Sequence, residues 1–331
     1  MTFATYKNIS IQSICSAVPQ NIQENKHLKI KNIDKIIHQT GIKKRRILSG
    51  NTSITDLFKK CAEVLFKDIK NIEKLEWLVC VSQTPDYTQP SNSYIIHSYL
   101  RLPNSVACLD LSIACSGFAY GLNVLFSLLS DKDDCYGIIL FGDSASKYLD
   151  KNNNDTLPLF GDAASGVLIK NKKTNFVNKF NNMSDGSRLK NLIIKGGGYK
   201  FPSSQQKYLN MNGLEVFKFS IFDVYLNIYE LMNKFNISNK HVDFLVLHQS
   251  NKQIMSHLSK KLKLEHKMLF SLSHFGNTGS ASIPLTIVFN KEKFDYKNYK
   301  LLISGYGAGL SWSSGYINLE KNTKIHKLIE L

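Results

Sequence analysis

The apolar positions of the chain fall into short buried runs and longer helical stripes. Ile9 to Val18 has strand character, and Trp77 to Ser82, Val106 to Leu111 and Gly137 to Phe141 read as short buried strands. Between the first two, Asp56 to Phe66 carries apolar residues at 57, 58, 61, 62, 64 and 65, one wide helical face. Between the last two lies Ser116 to Leu129, an apolar helix with no polar face to offer water, which predicts a central position. Strands and helices alternate, as an α/β protein requires.

Around Lys170 to Lys190 the composition turns polar, with an Asp185-Gly186 turn signal, and the theme then repeats. Glu215 to Phe235 reads as a long helix, apolar nearly all round. Phe244 to Leu247 is a buried strand and Asn251 to Leu262 a lysine-bearing amphipathic helix. Leu301 to Ser304 and Ser311 to Leu319 close the chain as strands. Leu75-Glu76-Trp77-Leu78-Val79-Cys80-Val81-Ser82-Gln83 resembles Val242-Asp243-Phe244-Leu245-Val246-Leu247-His248-Gln249, a faint internal duplication. Two similar α/β halves follow, 1–180 and 181–331.

Composition narrows the class. With 331 residues, 43% hydrophobic and 21% charged, the chain can bury a large core and is not a disordered polymer. No apolar run approaches a membrane span, and Met1 to Ser10 lacks the apolar core of a secretory signal, so the expected location is cytoplasmic with no membrane partner. The net charge is +16, carried by 38 lysines against four arginines (Arg45, Arg46, Arg101, Arg188). A solvated lysine surface is the plain reading, and attraction of an acidic carrier protein the functional one. Nucleic-acid binding is not expected, because arginine forks and a recognisable motif are lacking.

Six cysteines at 15, 61, 80, 108, 115 and 135 contain no CxxC pair, so neither a zinc site nor a disulfide framework is indicated. Cys115 stands apart. It follows a strand and precedes Ser116-Gly117, the start of the central helix, where the macrodipole favours thiolate. His248 ends the strand Phe244 to Leu247, where ligands meet α/β sheets. Asn277 lies in a small-residue turn, His274-Phe275-Gly276-Asn277-Thr278-Gly279. Gly305-Tyr306-Gly307-Ala308-Gly309 is either a tight hairpin or a loop whose backbone approaches a ligand closely. It is no phosphate loop, since no GK[ST] and no helix follow. Taken singly, these residues could equally be a buried cysteine, a structural histidine and a turn asparagine.

Together they resemble the β-ketoacyl-acyl carrier protein synthase III family of the thiolase superfamily. The resemblance is carried by Asp110-Leu111-Ser112-Ile113-Ala114-Cys115-Ser116-Gly117-Phe118, Phe160-Gly161-Asp162-Ala163-Ala164-Ser165-Gly166 and Met211-Asn212-Gly213-Leu214-Glu215-Val216-Phe217-Lys218. It continues through Leu247-His248-Gln249-Ser250-Asn251, His274-Phe275-Gly276-Asn277-Thr278 and Gly305 to Trp312, with Thr40-Gly41-Ile42-Lys43-Lys44-Arg45 as an early match. It implies a five-layer α/β/α/β/α thiolase fold and a homodimer pairing through the strand near Val106 to Leu111. It also implies a ping-pong reaction. Cys115 takes an acyl group from an acyl thioester, with the N–H groups of Cys115 and Ala308 as oxyanion hole. Malonyl-acyl carrier protein then loses carbon dioxide, and His248 and Asn277 stabilise the enolate that attacks the acyl group. No metal and no redox cofactor is implied; acyl-coenzyme A or acyl-carrier protein is substrate. Asn277, rather than a second histidine, marks the synthase III branch. Lys218, Lys260 and Lys261 fall where the family docks its acidic carrier, whereas a neighbouring family arginine is Gln253 here.

Three departures bear on the donor. The family tryptophan and arginine that clamp the adenine of coenzyme A correspond to Lys35 and Asn154, neither of which can stack as the originals do. The aromatic that shapes the acyl pocket from the partner subunit corresponds to Gln89. These changes point away from acetyl-coenzyme A priming, toward an acyl group delivered on a carrier and a specialised paralogue. Two other readings stay open: transfer of the Cys115-bound acyl group to an oxygen or nitrogen nucleophile, with His248 as general base, and a non-catalytic basic binding protein.

Overall fold

The structure is a computed structural model that describes residues 2–203 and 206–331. Its first two strands, β1 (Thr2–Lys7) and β2 (Ile9–Val18), are separated by Asn8 alone, at a left-handed φ of 61°. They join different sheets. The small hairpin partners β3 (Ile22–Glu24) and β4 (Lys44–Arg46) flank α1 (Ile33–Thr40). α2 (Ile54–Phe66) opens on a reciprocal cap between Ser53 and Asp56. β5 (Leu75–Val81), α3 (Asn92–Leu100), β6 (Ala107–Leu111), α4 (Gly117–Ser130), β7 (Tyr136–Asp143) and β8 (Ala163–Asn171) follow.

The second half begins with β9 (Val177–Ser184) and the short ribbon β10 (Leu192–Ile193) and β11 (Asn210–Met211). Then come α5 (Gly213–Lys234), β12 (Phe244–Leu247), α6 (Lys252–Leu262), α7 (Leu272–Phe275) and α8 (Ser282–Phe289). The hairpin β13 (Tyr299–Gly307) and β14 (Ser311–Leu319) leads to two short C-terminal strands, β15 (Lys324–Ile325) and β16 (Ile329–Glu330).

The internal duplication is visible as topology. β5 lies parallel to β7, which pairs antiparallel with β8, which pairs antiparallel with β2. In the other sheet β12 lies parallel to β13, which pairs antiparallel with β14, which pairs antiparallel with β9. β5 and β12, the two segments alike in sequence, hold the same place. β6 adds an outer edge to the first sheet and β1 to the second. The exchange of β1, and of β15 and β16 onto β2, ties each half into the other's sheet. A cut at residue 180 falls within β9, whose pairing belongs wholly to the second sheet.

Five layers result. α2 and α3 cover the outside of the first sheet, while α5 covers the outside of the second and α6 packs on α5. α4 and α8 lie between the sheets, each touching strands of both. The absence of a polar face on α4 thus has its expected cause: Phe118, Leu122, Leu125, Phe126 and Leu129 are fully buried. Phe126 packs edge-on against Tyr6 and Phe180 of the second sheet and Phe118 meets Phe141 of the first, so rings from both sheets meet on one helix.

α5 departs from expectation. Only one of its faces is buried, through Phe219, Val224, Ile228 and Leu231, while Leu214, Phe222, Leu226 and Tyr229 stand 63%, 62%, 47% and 51% exposed. An outer helix has one sheet to pack on, whatever its composition. Phe126→Ala should therefore lower stability by about 3–5 kcal/mol, the usual cost of emptying a buried phenylalanine site. Phe222→Ala should stay within about 0.5 kcal/mol. Urea unfolding of both variants checks the assignment, and equal losses would contradict it.

Candidate active site

Cys115 sits where the first sheet hands over to the middle layer, between the end of β6 and the first residue of α4. Its residue is 7% exposed. Gly117 N–H bonds back to Ala114 C=O at 2.7 Å, which turns the chain into the helix, and the Ser116 hydroxyl meets that of Ser311 at 2.7 Å. The far wall is β13. An ideal Cβ on Gly305 would lie 2.7 Å from the Cys115 carbonyl oxygen, and one on Gly307 would lie 2.8 Å from Cys115 Cβ and 3.2 Å from Sγ. The glycine-rich segment is thus both a hairpin and a close approach, and its partner is the cysteine. Ala308 follows directly and lines the space beside Cys115.

The second half supplies the other two candidates from matching positions. His248 directly follows β12 and is 1% exposed; Asn277 precedes α8 as Cys115 precedes α4. His248 Nδ1 lies 2.7 Å from the Ser282 hydroxyl, in the first turn of α8, and the ring packs edge-on against Tyr306. Asn277 Oδ1 accepts the Gly279 N–H at 3.0 Å, which leaves the amide NH2 as the free end. The Asn277 backbone is clamped by the neighbouring segment: its N–H donates to Leu159 C=O at 2.8 Å and its C=O accepts Gly161 N–H at 2.9 Å. Behind that segment Arg45 is fully buried. Its Nε donates to Asn25 Oδ1 at 2.7 Å and its Nη1 to Phe160 C=O at 3.2 Å. Arg45, seen in sequence as part of a motif, is the guanidinium under the Asn277 turn.

Cys115, His248 and Asn277 line one cavity of 240 Å³. Its walls are apolar residues of the first turns of α5 (Val216, Phe217, Phe219) with Phe160 and Leu310, and Asn251 and Gln253 reach it from the start of α6. A second space of 90 Å³ opens on the other side of Cys115, toward Ala114, Asp143 and Ala308. Among the described residues no group of three or more His, Cys, Asp or Glu is arranged to hold a metal ion. Nor is any of their helices long and apolar enough to cross a membrane.

The site is buried, and burial sets the protonation states. Burial pushes the Cys115 thiol up to about 12, with the nearby Asp143 carboxylate adding to the rise and the Cys115 N–H opposing it. Expectation from the helix terminus ran the other way. The macrodipole is present, but loss of solvent outweighs it. Burial likewise holds His248 down to about 3, against a weaker opposing hydrogen bond with the Gly279 backbone. A neutral thiol therefore faces a neutral imidazole.

The residues expected to meet a carrier lie on two helices packed together, α5 and α6. Lys218 on α5 pairs with Glu215 at 2.8 Å, and Lys261 lies 3.8 Å from the Tyr225 ring centroid. Lys260 and Lys261 end α6, about 12 Å along its axis from the cavity end at 1.5 Å per residue. Lys35 and Asn154 are exposed. Gln89, which precedes a cis Pro90, does not line either Cys115 cavity in the single chain.

These arrangements are those of a thiolase-type condensing enzyme. Residues 109–186 match the family model for 3-oxoacyl-[acyl-carrier-protein (ACP)] synthase III, and 232–319 match the model for its C-terminal part. A β-ketoacyl-[acyl-carrier-protein] synthase III of Lactococcus lactis is 33% identical over 333 residues, covering 96% of this chain and 100% of that protein. One from Campylobacter curvus is 30% identical, covering 93% and 96%. The crystal structure of a 3-oxoacyl-(acyl-carrier protein) synthase from Burkholderia xenovorans superposes with a TM-score of 0.94 at 25% identity, over 100% of this chain and 99% of that one. The fold also recurs in the priming β-ketosynthase of the R1128 polyketide pathway, at a TM-score of 0.86 and 22% identity over 95% and 97% of the two chains. The chain belongs to the β-ketoacyl-[acyl-carrier-protein] synthase III family.

Two residues of the site escaped sequence reading: Ser282, which holds the histidine, and Asp143, which shares the narrower space with Cys115. A polar residue one step past an apolar strand, as in Leu140-Phe141-Gly142-Asp143, was the available signal for the second. The raised thiol predicts its own test. Alkylation of Cys115 by iodoacetamide, followed by peptide mass, should accelerate with pH through 9 without levelling below about 10. A plateau centred below pH 8 would contradict a thiol kept neutral by burial.

Proposed function

We propose that this protein is a decarboxylating condensing enzyme that joins a Cys115-bound acyl group to the two-carbon unit of malonyl-acyl carrier protein. In the first stage Cys115 sulfur bonds to the carbonyl carbon of an acyl thioester. The carbon–sulfur bond to the carrier breaks, and the Cys115 proton leaves with the carrier thiol. The N–H groups of Cys115 and Ala308 hold the oxyanion of the intermediate. In the second stage the bond between malonyl carbon and carboxylate breaks, releasing carbon dioxide and leaving an enolate. Its carbon bonds to the acyl carbon, the bond to Cys115 breaks, and the thiolate regains a proton.

One observation carries this reading. His248 and Asn277 meet in the same cavity as Cys115, with Asn277 Oδ1 tied back so that a donor remains. With Nδ1 held by the Ser282 hydroxyl, the tautomer protonated on Nε2 makes the histidine a second donor. Two neutral donors suit an oxygen that gains charge only as carbon dioxide departs. Transfer to an oxygen or nitrogen nucleophile needs a base and no such pair.

The setting follows the same reading. The acyl donor arrives on a carrier protein, since Lys35 and Asn154 offer no adenine clamp, and Lys218, Lys260 and Lys261 steer acidic carriers to the α5–α6 side. A homodimer forms through β6, an edge strand whose five residues are all partly exposed. No metal or redox cofactor enters the chemistry. The cytoplasm, which keeps thiols reduced, suits six free cysteines. The two units of the duplication divide just ahead of β9 rather than within it, close to the expected 1–180 and 181–331.

Intact mass after incubation with acyl-coenzyme A and acyl-carrier donors should show a thioester adduct that Cys115→Ala abolishes. Asn277→Ala should keep the adduct yet lower condensation about 10²–10³-fold, the usual cost of one such donor. Equal loss of both stages, or no adduct from any donor, would overturn the scheme.

A further inference from the structure

The narrower cavity beside Cys115 holds a carboxyl group that condensation does not use. Asp143 ends β7 and is 6% exposed. Its Oδ1 accepts Gln83 N–H at 2.7 Å, the Ser82 hydroxyl at 3.2 Å and the Thr84 hydroxyl at 3.3 Å. Oδ2 has no hydrogen-bond partner among the described residues. The nearby backbone is Gly279, where an ideal Cβ would stand 3.0 Å from Oδ2, so the bare glycine leaves that oxygen room. Ser82 and Gln83 follow β5 as His248 and Gln249 follow β12. The first half thus builds a carboxylate site at the place where the second half holds its histidine.

The surroundings offer this oxygen nothing. Asp162 acts on its charge, and it acts in turn on Cys115, which also faces Tyr306; among the described residues no lysine, arginine or histidine is paired with it. The rest of the wall is largely apolar, with Ala114, Ala145, Phe160, Leu192, Ile194 and Leu209. At 90 Å³ the space is small and suits a short acyl chain. Oδ1 is engaged three times, and Oδ2 is the oxygen left for whatever fills the space.

We infer that Asp143 selects the acyl group, and that the group Cys115 accepts is a short chain bearing a hydroxyl placed to bond Oδ2. The inference rests on the acylation of Cys115 proposed above. Burial raises Asp143 to about 7, so acid and carboxylate coexist near neutrality. A hydroxyl serves both forms, donating to the carboxylate or accepting from the acid. An ammonium group would serve only the carboxylate. An alkyl chain of the same length leaves Oδ2 unpaired in a space newly closed to water.

Single-turnover acylation of the full-length protein tests this, with butyryl, 3-hydroxybutyryl and β-alanyl thioesters on carrier protein and on coenzyme A, read by intact mass. The hydroxylated chain should react at least about tenfold faster than butyryl, the discrimination expected of a buried polar partner. Asp143→Ala should erase that preference, bringing the ratio of hydroxylated to butyryl rates to about one; Asp143→Asn should keep part of it. Butyryl matching or outpacing the hydroxylated chain in the unaltered protein overturns the inference while Cys115 acylation stands, and this comparison needs no variant to fold. A β-alanyl preference overturns the hydroxyl in favour of a cation. No adduct from any donor removes the acylation itself, and the inference with it.

Discussion

The site exists because β13 crosses the nucleophile without a side chain between them. Gly305 and Gly307 place bare backbone against the carbonyl, Cβ and Sγ of Cys115, where any added carbon would stand below 3 Å from an atom of that residue. This contact joins the two halves at the point where their middle-layer helices begin. It sets the floor of both cavities and puts the Ala308 segment beside the sulfur. The hairpin is rigid for a reason seen in its pairing: β13 and β14 run in register from Tyr299–Leu319 to Gly307–Ser311, with β12 and β9 on either side. A wall held by a sheet does not drift to accommodate a side chain.

Everything polar at the site is then read against its burial. A thiol pushed up to about 12 and a histidine held down to about 3 are both uncharged at rest. Charge appears only during reaction, first on a carbonyl oxygen and then on an enolate. Fixed donors in low dielectric act most strongly at that moment and cost no reorganisation. The +16 net charge belongs to the outside. The cavity itself, among the described residues, is lined by no lysine or arginine that could hold a resting anion.

The fold was legible wherever a strand or helix is buried on both sides. β2, β12 and β14 lie within the bounds that the apolar runs mark, and α4 was placed at the centre from its lack of a polar face. β9 was not, because Val177-Asn178-Lys179-Phe180-Asn181-Asn182 looks like a polar join. Its asparagines are buried through side-chain bonds that sequence cannot show, such as Asn178 to Ile9 C=O and Asn181 to Asn227 C=O. α5 misled in the opposite sense, since apolar composition does not create a second sheet to pack on. At the site, Cys115, His248 and Asn277 were legible as a constellation. The direction of the thiol's shift was not, because it depends on how completely β13 seals it. Asp143 was invisible for a similar reason: only the fold brings the end of β7 to the cysteine.

The central claim is that Cys115 carries the acyl group to a carbon nucleophile made by decarboxylation. A single turnover of isolated acyl-enzyme with malonyl-carrier protein labelled in its free carboxylate tests it most directly. The account predicts one labelled carbon dioxide released for each acyl-cysteine consumed, in step with a 3-oxoacyl product. Acyl-cysteine consumed by an alcohol or amine acceptor, with the label retained on malonyl, would contradict it.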